Sequence, residues 1–231
     1  MPRPTAPAGA PTTQTARLLA CGIVAGPLFV AVWLIQALTR EGFDLTHHPL
    51  SLLSLGDLGW IQIASFVVTG SLYVACAVGM RRVLRPGRSS TWGPLLVGVL
   101  GVGLIVAGIF VTDAGAGFPP GAPAGAPEHI TWHGILHEVG FIMASVSWTA
   151  ACFVFLRRFA AFKQRGWIAA CVAAPVAVLV IDSWPHLDSL SVRLVIGTAI
   201  MFGFVAAMAV RLMRGLPNAA ATSAAAGAPA N

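Results

Sequence analysis

Charged residues are scarce in this 231-residue chain, and their scarcity excludes most soluble folds. Lysine, arginine, aspartate and glutamate make up 10% of the sequence, where a soluble domain has about 25%. Hydrophobic residues make up 57%, a balance typical of an integral membrane protein. The formal charge of +6 does not indicate a nucleic-acid partner, because the basic residues stand in short segments between apolar runs and no binding motif accompanies them.

Cysteine is also scarce, and its spacing lacks the close pairs of structural zinc motifs. The four cysteines are Cys21, Cys76, Cys152 and Cys171, each in a different apolar run. By the topology below, all four fall in the half of the bundle that faces the reducing cytoplasm, where disulfides are rare. We therefore expect small, buried core residues.

Six apolar runs are long enough to cross a bilayer, which takes about 20 residues each. The runs are Leu18–Leu38, Trp60–Val78, Trp92–Val111, Ile135–Phe155, Trp167–Trp184 and Leu194–Met213. They predict an all-α, polytopic integral membrane bundle of six transmembrane helices, formed as one domain by residues 17–214. The segments 1–16 and 215–231 are rich in small residues and proline, and their composition predicts disordered cytoplasmic tails.

Charge is segregated between the two sides of the predicted bundle. With the N-terminus inside, only Arg40 and Arg193 among the basic residues fall on the outer side. The positive-inside rule then places both termini in the cytoplasm, with the bundle in the cell (plasma or inner) membrane. Every acidic residue and every histidine falls at or near the outer face, and the middle and inner half of the bundle lack both. That distribution argues against ion-coupled transport, which needs ionisable groups at depth.

Two outer loops and one glycine-rich run carry further expectations. The loop 40–57 is too apolar for a solvated linker, and Pro49 predicts the start of a short interfacial helix lying over the bundle. The loop 115–127 is rich in glycine and proline and predicts an extended, polyproline-like segment. The third run contains Gly98, Gly101 and Gly108, and small residues at such spacing predict a central, closely packed helix.

The strongest functional signal is the pair His133 and His137, whose spacing places both rings on one face of a helix. Imidazoles and carboxylates suit a divalent metal such as zinc. One hypothesis is therefore an outer-face metal site that serves a hydrolase or transferase acting on a lipid-like substrate. Its ligands would be Asp113, His133, His137 and His186, with Glu138 or Asp182 as general base or ligand orienter and His48 and Arg193 contacting substrate.

Less specific interpretations stay open beside this one. The same groups can form a hydrogen-bonded network that ties helix ends together. Arg193 can pair with Asp182 or Asp188 instead of clamping a substrate. The protein can be a non-catalytic scaffold or a sensor of pH or ligand, and a small-molecule transporter is a weaker alternative. A haem between His137 and His186 is conceivable, but no histidine lies at the inner side to hold a second one. Membrane lipids are the expected partners, and the sequence leaves the oligomeric state open.

A distinctive set of motifs resembles one known family. The set comprises Asp113, the segment 117–121 (Gly-Phe-Pro-Pro-Gly), the start of the fourth run at His133-Gly134-x-x-His137, and the segment 48–51 (His-Pro-Leu-Ser). With six spans, these motifs resemble the bacterial and archaeal membrane proteins grouped as domain-of-unknown-function family 998. The resemblance covers residues 18–213 and implies a six-helix membrane fold, but it implies no activity.

Overall fold

The computed structural model describes residues 10–87, 89–185 and 189–216. Within these ranges the chain forms six α-helices and no strands, which confirms the all-α prediction. The helices are α1 (Ala10–Thr39), α2 (Gly59–Leu84), α3 (Trp92–Ile109), α4 (Trp132–Ala161), α5 (Arg165–Asp182) and α6 (Leu190–Arg214). Each is long and apolar enough to cross a membrane, so the chain is a multi-pass membrane protein. Helices are favoured there because they satisfy their own backbone hydrogen bonds without water.

Consecutive helices run antiparallel, and this divides the bundle into two chemically different ends. We call the end that carries residues 40–58, 110–131 and 183–185 the histidine end, and the opposite end, where α2, α4 and α6 finish, the arginine end. Contacts of Gly22 with Cys76 and of Gly79 with Leu18 place the start of α1 beside the end of α2. The predicted orientation, with both termini in the cytoplasm, stays a prediction.

Helix α3 lies between α2 and α4, as its glycines predict. A methyl group built on Gly101 would lie 2.5 Å from the carbonyl oxygen of Gly70, and one on Gly103 would lie 2.7 Å from that of Gly140. The backbones of the three helices therefore approach each other directly, which only glycine permits. Helix α5 is peripheral, since Cys171 is its only buried residue. All four cysteines are free thiols.

Two loops form a cap over the histidine end, and we define the cap as residues 40–58 and 110–131. Pro49 precedes a short helix, as predicted, but it is a 3₁₀ helix, Leu50–Ser54, with Leu52 and Leu53 buried. The glycine- and proline-rich loop is not the extended segment that its composition predicts. It folds back on itself, with backbone bonds from Ala116 N–H to Gly125 O and from Gly117 N–H to Pro123 O, each 2.7 Å.

Phe118 explains why this loop folds back on itself. Its ring is 1% exposed, packs edge-on against Phe43 with centroids 5.3 Å apart, and lies under the guanidinium of Arg40 at 5.7 Å. Burial of one aromatic ring stabilises such a loop by roughly 2 kcal/mol, which the composition does not reveal.

The predicted boundaries of the tails lie partly outside the described residues, which exclude 1–9 and 217–231. Helix α1 begins at Ala10, so residues 10–16 are helical although their composition predicts disorder. The helix there continues the first span beyond its apolar run.

Candidate functional site

His48 joins the two loops of the cap through both of its ring nitrogens. Nδ1 accepts the backbone N–H of Asp44 at 2.8 Å, so Nε2 carries the proton and donates it to the carbonyl of Ala116, also at 2.8 Å. The side chain is 6% exposed. These bonds fix a neutral imidazole in one tautomer. His48 thus holds the cap together, and neither nitrogen is left for the substrate contact suggested by the sequence.

Asp113, Thr131 and His133 form a hydrogen-bonded clasp at the start of α4. Asp113 Oδ2 accepts the Thr131 N–H at 2.9 Å, and Asp113 Oδ1 accepts the Thr131 hydroxyl. Because that hydroxyl has a single proton, His133 Nδ1 donates its own to Thr131 Oγ1 at 2.7 Å. Thr131 Oγ1 also accepts the N–H of Gly134 at 3.1 Å, which makes Thr131 the N-cap of α4.

The clasp also fixes the charge of Asp113. Burial opposes its ionisation, but the two bonds from Thr131 and the neighbouring His133 and His137 outweigh that effect and lower the pKa of Asp113. A carboxylate beside the first turn of a helix is stabilised by the helix dipole as well. Gly134 is required here, since a methyl group on it would lie 2.1 Å from Asp113 Oδ2.

His137 makes a second tie between α3 and α4. Its Nδ1 lies 2.7 Å from the carbonyl oxygen of Ala107 and 3.0 Å from that of Phe110, at the end of α3. Carbonyls only accept, so Nδ1 carries a proton, and in the neutral form of the ring Nε2 is left as an acceptor. The ring is 4% exposed to solvent and lines a cavity, described next. Within the described residues, no hydrogen bond reaches Nε2.

A cavity of about 650 Å³ lies inside the bundle beneath the cap, a size common for small-molecule sites. Its walls come from α1, α2, α3, α4 and α6, and its roof from the cap. The deep part is apolar, with Phe29, Phe66 and Phe202 packed edge-on against one another at centroid distances of 5.2 and 5.5 Å. The polar side chains that line it are His47, Ser51, Thr112, Asp113, His137, Glu138, Ser145 and Thr198.

The cavity opens to the surface of the bundle beside α4. Glu138 and Phe141 both line it and both are exposed, Phe141 by 46%. Glu138 lies six residues after Trp132, the first residue of α4, which corresponds to roughly 9 Å along the helix. A carboxylate within a membrane-spanning helix is costly, which makes Glu138 a candidate functional residue. An acidic side chain therefore stands at the edge of the opening on the α4 side.

Arg193 and Asp182 lie at the junction of α5 and α6, away from the cavity lining. Arg193 donates from one guanidinium nitrogen to the carbonyls of Ile181 and Asp182, each at 3.3 Å, and to that of Trp184. It thereby bonds to carbonyls at the end of α5 and in the turn that follows. Arg40 does the same within the cap, donating to the carbonyl of Leu53 at 3.4 Å and to that of Leu55. The two arginines that fall on the side opposite the other basic residues therefore both serve backbone carbonyls.

The structure brings together part of the predicted metal set. Asp113 and His133 meet through Thr131, and His137 approaches the same junction of α3 and α4. Within the described ranges, no three His, Cys, Asp or Glu residues group closely enough to hold a metal ion. His186 lies outside the described residues, as does Asp188. The metal site stays a prediction, and the bonds seen favour the helix-tying network.

Sequence reasoning did not assign two residues to this site, and it gave Thr198 only a hydrogen bond between helices. Thr131 had a detectable signal, because a threonine directly before an apolar helix is a preferred N-cap. Thr198 lines the cavity from α6, four residues after Leu194. Its role had no signal in the sequence, since nothing local shows that α6 faces α4 across a cavity.

Comparison with known proteins supports the family resemblance and adds no activity. The family model described as "Protein of unknown function (DUF998)" matches residues 23–211. No curated protein and no solved structure matches the chain.

Proposed function

This chain belongs to DUF998, a family of proteins of unknown function, and we propose that it binds an amphipathic, lipid-like molecule in the cavity at the histidine end. The observation that carries the proposal is the division of the cavity into an apolar floor and a polar rim. Phe29, Phe66 and Phe202 form the floor, while Asp113 and His137 stand near the cap. A hydrocarbon chain suits the floor, and a polar group suits the rim.

The charge of the side chains at the rim determines which polar group a bound amphiphile can carry. Asp113 and Glu138 are carboxylates, His137 offers Nε2 as an acceptor, and the described lining contains no lysine or arginine. A phosphate or carboxylate would meet like charge with no cation to balance it. An amine or a hydroxyl would donate hydrogen bonds to these acceptors. The preferred ligand is therefore an amphiphile whose polar group donates hydrogen bonds.

Access to the cavity is lateral, from the membrane. The exposed Phe141 and Glu138 place an opening beside α4. In the cap, Ala124 and Ala126 also line the cavity and are exposed, so the cap covers its top only in part. A lipid can enter through such an opening without leaving the bilayer. Its polar group would pass Glu138 first and then reach His137.

Photo-crosslinking tests the binding proposal. The full chain in detergent is labelled with a photoactivatable hexadecylamine, in competition with hexadecanol or hexadecyl phosphate, and labelled peptides are mapped by mass spectrometry. We expect labels on α4 and α6, strong competition by the amine and the alcohol, and weak competition by the phosphate.

A matched pair of substitutions on α6 serves as the control. Thr198→Trp fills the cavity and should abolish the label, whereas Ile196→Trp changes a side chain that is 44% exposed and outside the lining. Labelling that survives Thr198→Trp unchanged would refute binding in the cavity. Equal competition by all three amphiphiles would refute the selection by charge.

One observation favours a second candidate, an enzyme that acts on the bound lipid. His137 directs its Nδ1 proton to backbone carbonyls and lines the cavity, and in the neutral ring this leaves Nε2 as the basic nitrogen of a general base. Glu138 stands beside it in sequence. The test follows the masses of lipids incubated with wild type and with His137→Gln. A product formed by wild type alone supports catalysis, and unchanged lipids leave binding as the function.

A further inference from the structure

A second cavity, of about 480 Å³, lies at the arginine end, between the ends of α2, α4 and α6. Three arginines are among the residues that line it, Arg158, Arg211 and Arg214. The described lining contains no aspartate or glutamate. We propose that this cavity binds a phosphate group, the chemistry shared by the headgroup of an anionic lipid and by free inorganic phosphate. The site is independent of the lipid-like ligand proposed for the histidine end.

Aromatic rings hold the guanidinium groups in place. Arg211 lies over the rings of Phe159 and Trp167, at 5.4 and 5.2 Å from their centroids, and donates to Gln164 Oε1. The rings of Phe159 and Trp167 stack on each other, with centroids 5.3 Å apart. A guanidinium held flat against a ring keeps the donors along its edge available for an anion.

Arg158 is held in the same manner on the neighbouring side. Its guanidinium lies 5.2 Å from the centroid of Phe162, and it lines the same cavity as Arg211. Both arginines are half-buried. Like charges in a partly desolvated space repel one another, and an anion bound between the two arginines would reduce that repulsion.

The positive-inside bias explains why basic residues occur at this end, but not why three converge on one cavity. Arg81 and Arg157 stand at the same end and do not line it. The chain also uses arginine almost throughout, since Lys163 is its single lysine. Arginine binds phosphate through two parallel hydrogen bonds, which a lysine cannot do.

The position of the cavity suits a lipid headgroup. It is bounded by Phe162 and Gly215, which directly follow the ends of α4 and α6, so it lies near the membrane surface. Basic pockets between transmembrane helices at that depth bind anionic headgroups. The apolar side chains of Val83, Leu84 and Met208 complete the wall and can contact the first carbons of a lipid chain.

The experiment measures lipid and phosphate binding to the delipidated full chain in a neutral detergent. Phosphatidylglycerol and phosphatidylcholine with the same acyl chains are titrated and counted by native mass spectrometry. Inorganic phosphate is tested separately, by thermal shift and by competition with phosphatidylglycerol. We expect wild type to bind phosphatidylglycerol at least about tenfold more tightly than phosphatidylcholine.

Two double variants separate the cavity from general surface charge. Arg158→Gln with Arg211→Gln should weaken phosphatidylglycerol binding at least about tenfold more than Arg81→Gln with Arg157→Gln, which removes the same charge outside the cavity. Lysines at positions 158 and 211 should give an intermediate loss, because charge remains but paired hydrogen bonds do not.

The outcomes decide both the site and the source of the phosphate. Competition by inorganic phosphate shows that the site also takes the free ion, and its failure to compete restricts the site to lipid headgroups. Equal losses in the two glutamine double variants would overturn the proposal. So would a wild type that shows no preference for phosphatidylglycerol and no thermal response to phosphate, a result that does not depend on any variant folding.

Discussion

Removing the Thr131 hydroxyl should unlock the start of α4, and Thr131→Val does so while keeping the shape of the side chain. The hydroxyl donates to the carboxylate of Asp113 and accepts from Gly134 N–H and His133 Nδ1. Loss of an N-cap costs about 0.5–2 kcal/mol, and loss of a hydrogen bond to a charged group about 1.5–3 kcal/mol. Asp113 is half-exposed and keeps the Thr131 N–H bond, so the lower parts of these ranges apply. We expect the free energy of unfolding to fall by about 2–3 kcal/mol.

The assay is equilibrium unfolding of the detergent-solubilised protein in mixed micelles, followed by circular dichroism. Thr39→Val is the matched control, because the Thr39 hydroxyl is exposed and bonds only to Ile35 O of its own helix, at 2.8 Å. That substitution should cost less than about 0.5 kcal/mol. Asp113→Ala combined with Thr131→Val should reveal a coupling energy of about 1 kcal/mol or more. A Thr131→Val protein as stable as the Thr39→Val control would refute the clasp.

Three further predictions concern the histidine end. Gly134→Ala should destabilise the protein far more than Gly98→Ala, because its methyl group meets Asp113 Oδ2 at 2.1 Å while that of Gly98 meets Ala77 Cβ at an ordinary 3.6 Å; equal unfolding midpoints would contradict this. Hydrogen bonds from Thr46 to Asp44 lower its pKa, and the clasp lowers that of Asp113. Asp44 and Asp113 therefore stabilise the fold fully when the pH is above the ordinary pKa of an aspartate. That stabilisation is lost as the pH falls through the lowered pKa values of the two groups. Unfolding measured from about pH 6 to pH 2 should show this loss, and Asp113→Asn should lose less over the same range; identical curves would count against it. A cysteine at Gly125 should react with an impermeant reagent from outside intact cells, and reaction only after lysis would reverse the predicted orientation.

The architecture could be read from the sequence because lipid imposes a simple rule. A segment that crosses a bilayer must be helical, so six apolar runs predict six helices with little ambiguity. The glycines of α3 correctly predicted close helix packing. Because they have no side chain, Gly101 can approach Gly70 and Gly103 can approach Gly140. These features depend on local composition and spacing.

The cap could not be read in the same way, because it depends on contacts between distant residues. Phe118 folds its loop by packing against Phe43, and His48 bonds to Ala116, which is 68 residues away. Composition alone therefore predicted an extended segment for a loop that folds back on itself.

The sequence suggested which residues form the candidate site, but not the hydrogen bonds that each of them makes. Asp113, His133 and His137 meet at the junction of α3 and α4, whereas Asp182 lies at the junction of α5 and α6 and His186 lies outside the described residues. Which proton each ring carries depends on its partners, and those are backbone carbonyls and Thr131, not other predicted ligands. The cavity depends on how α4 and α6 face each other, and a linear pattern of residues does not specify that.

The central claim, that the cavity at the histidine end holds a lipid-like molecule, is tested most directly by identifying what remains bound to the protein when it is taken from its own membrane into nanodiscs. Bound lipids are released from wild type, Thr198→Trp and Ile196→Trp and identified by mass spectrometry. We expect an amphiphile with an amine or hydroxyl group in wild type and in Ile196→Trp, and its loss from Thr198→Trp. The same set of lipids in all three proteins would contradict the claim.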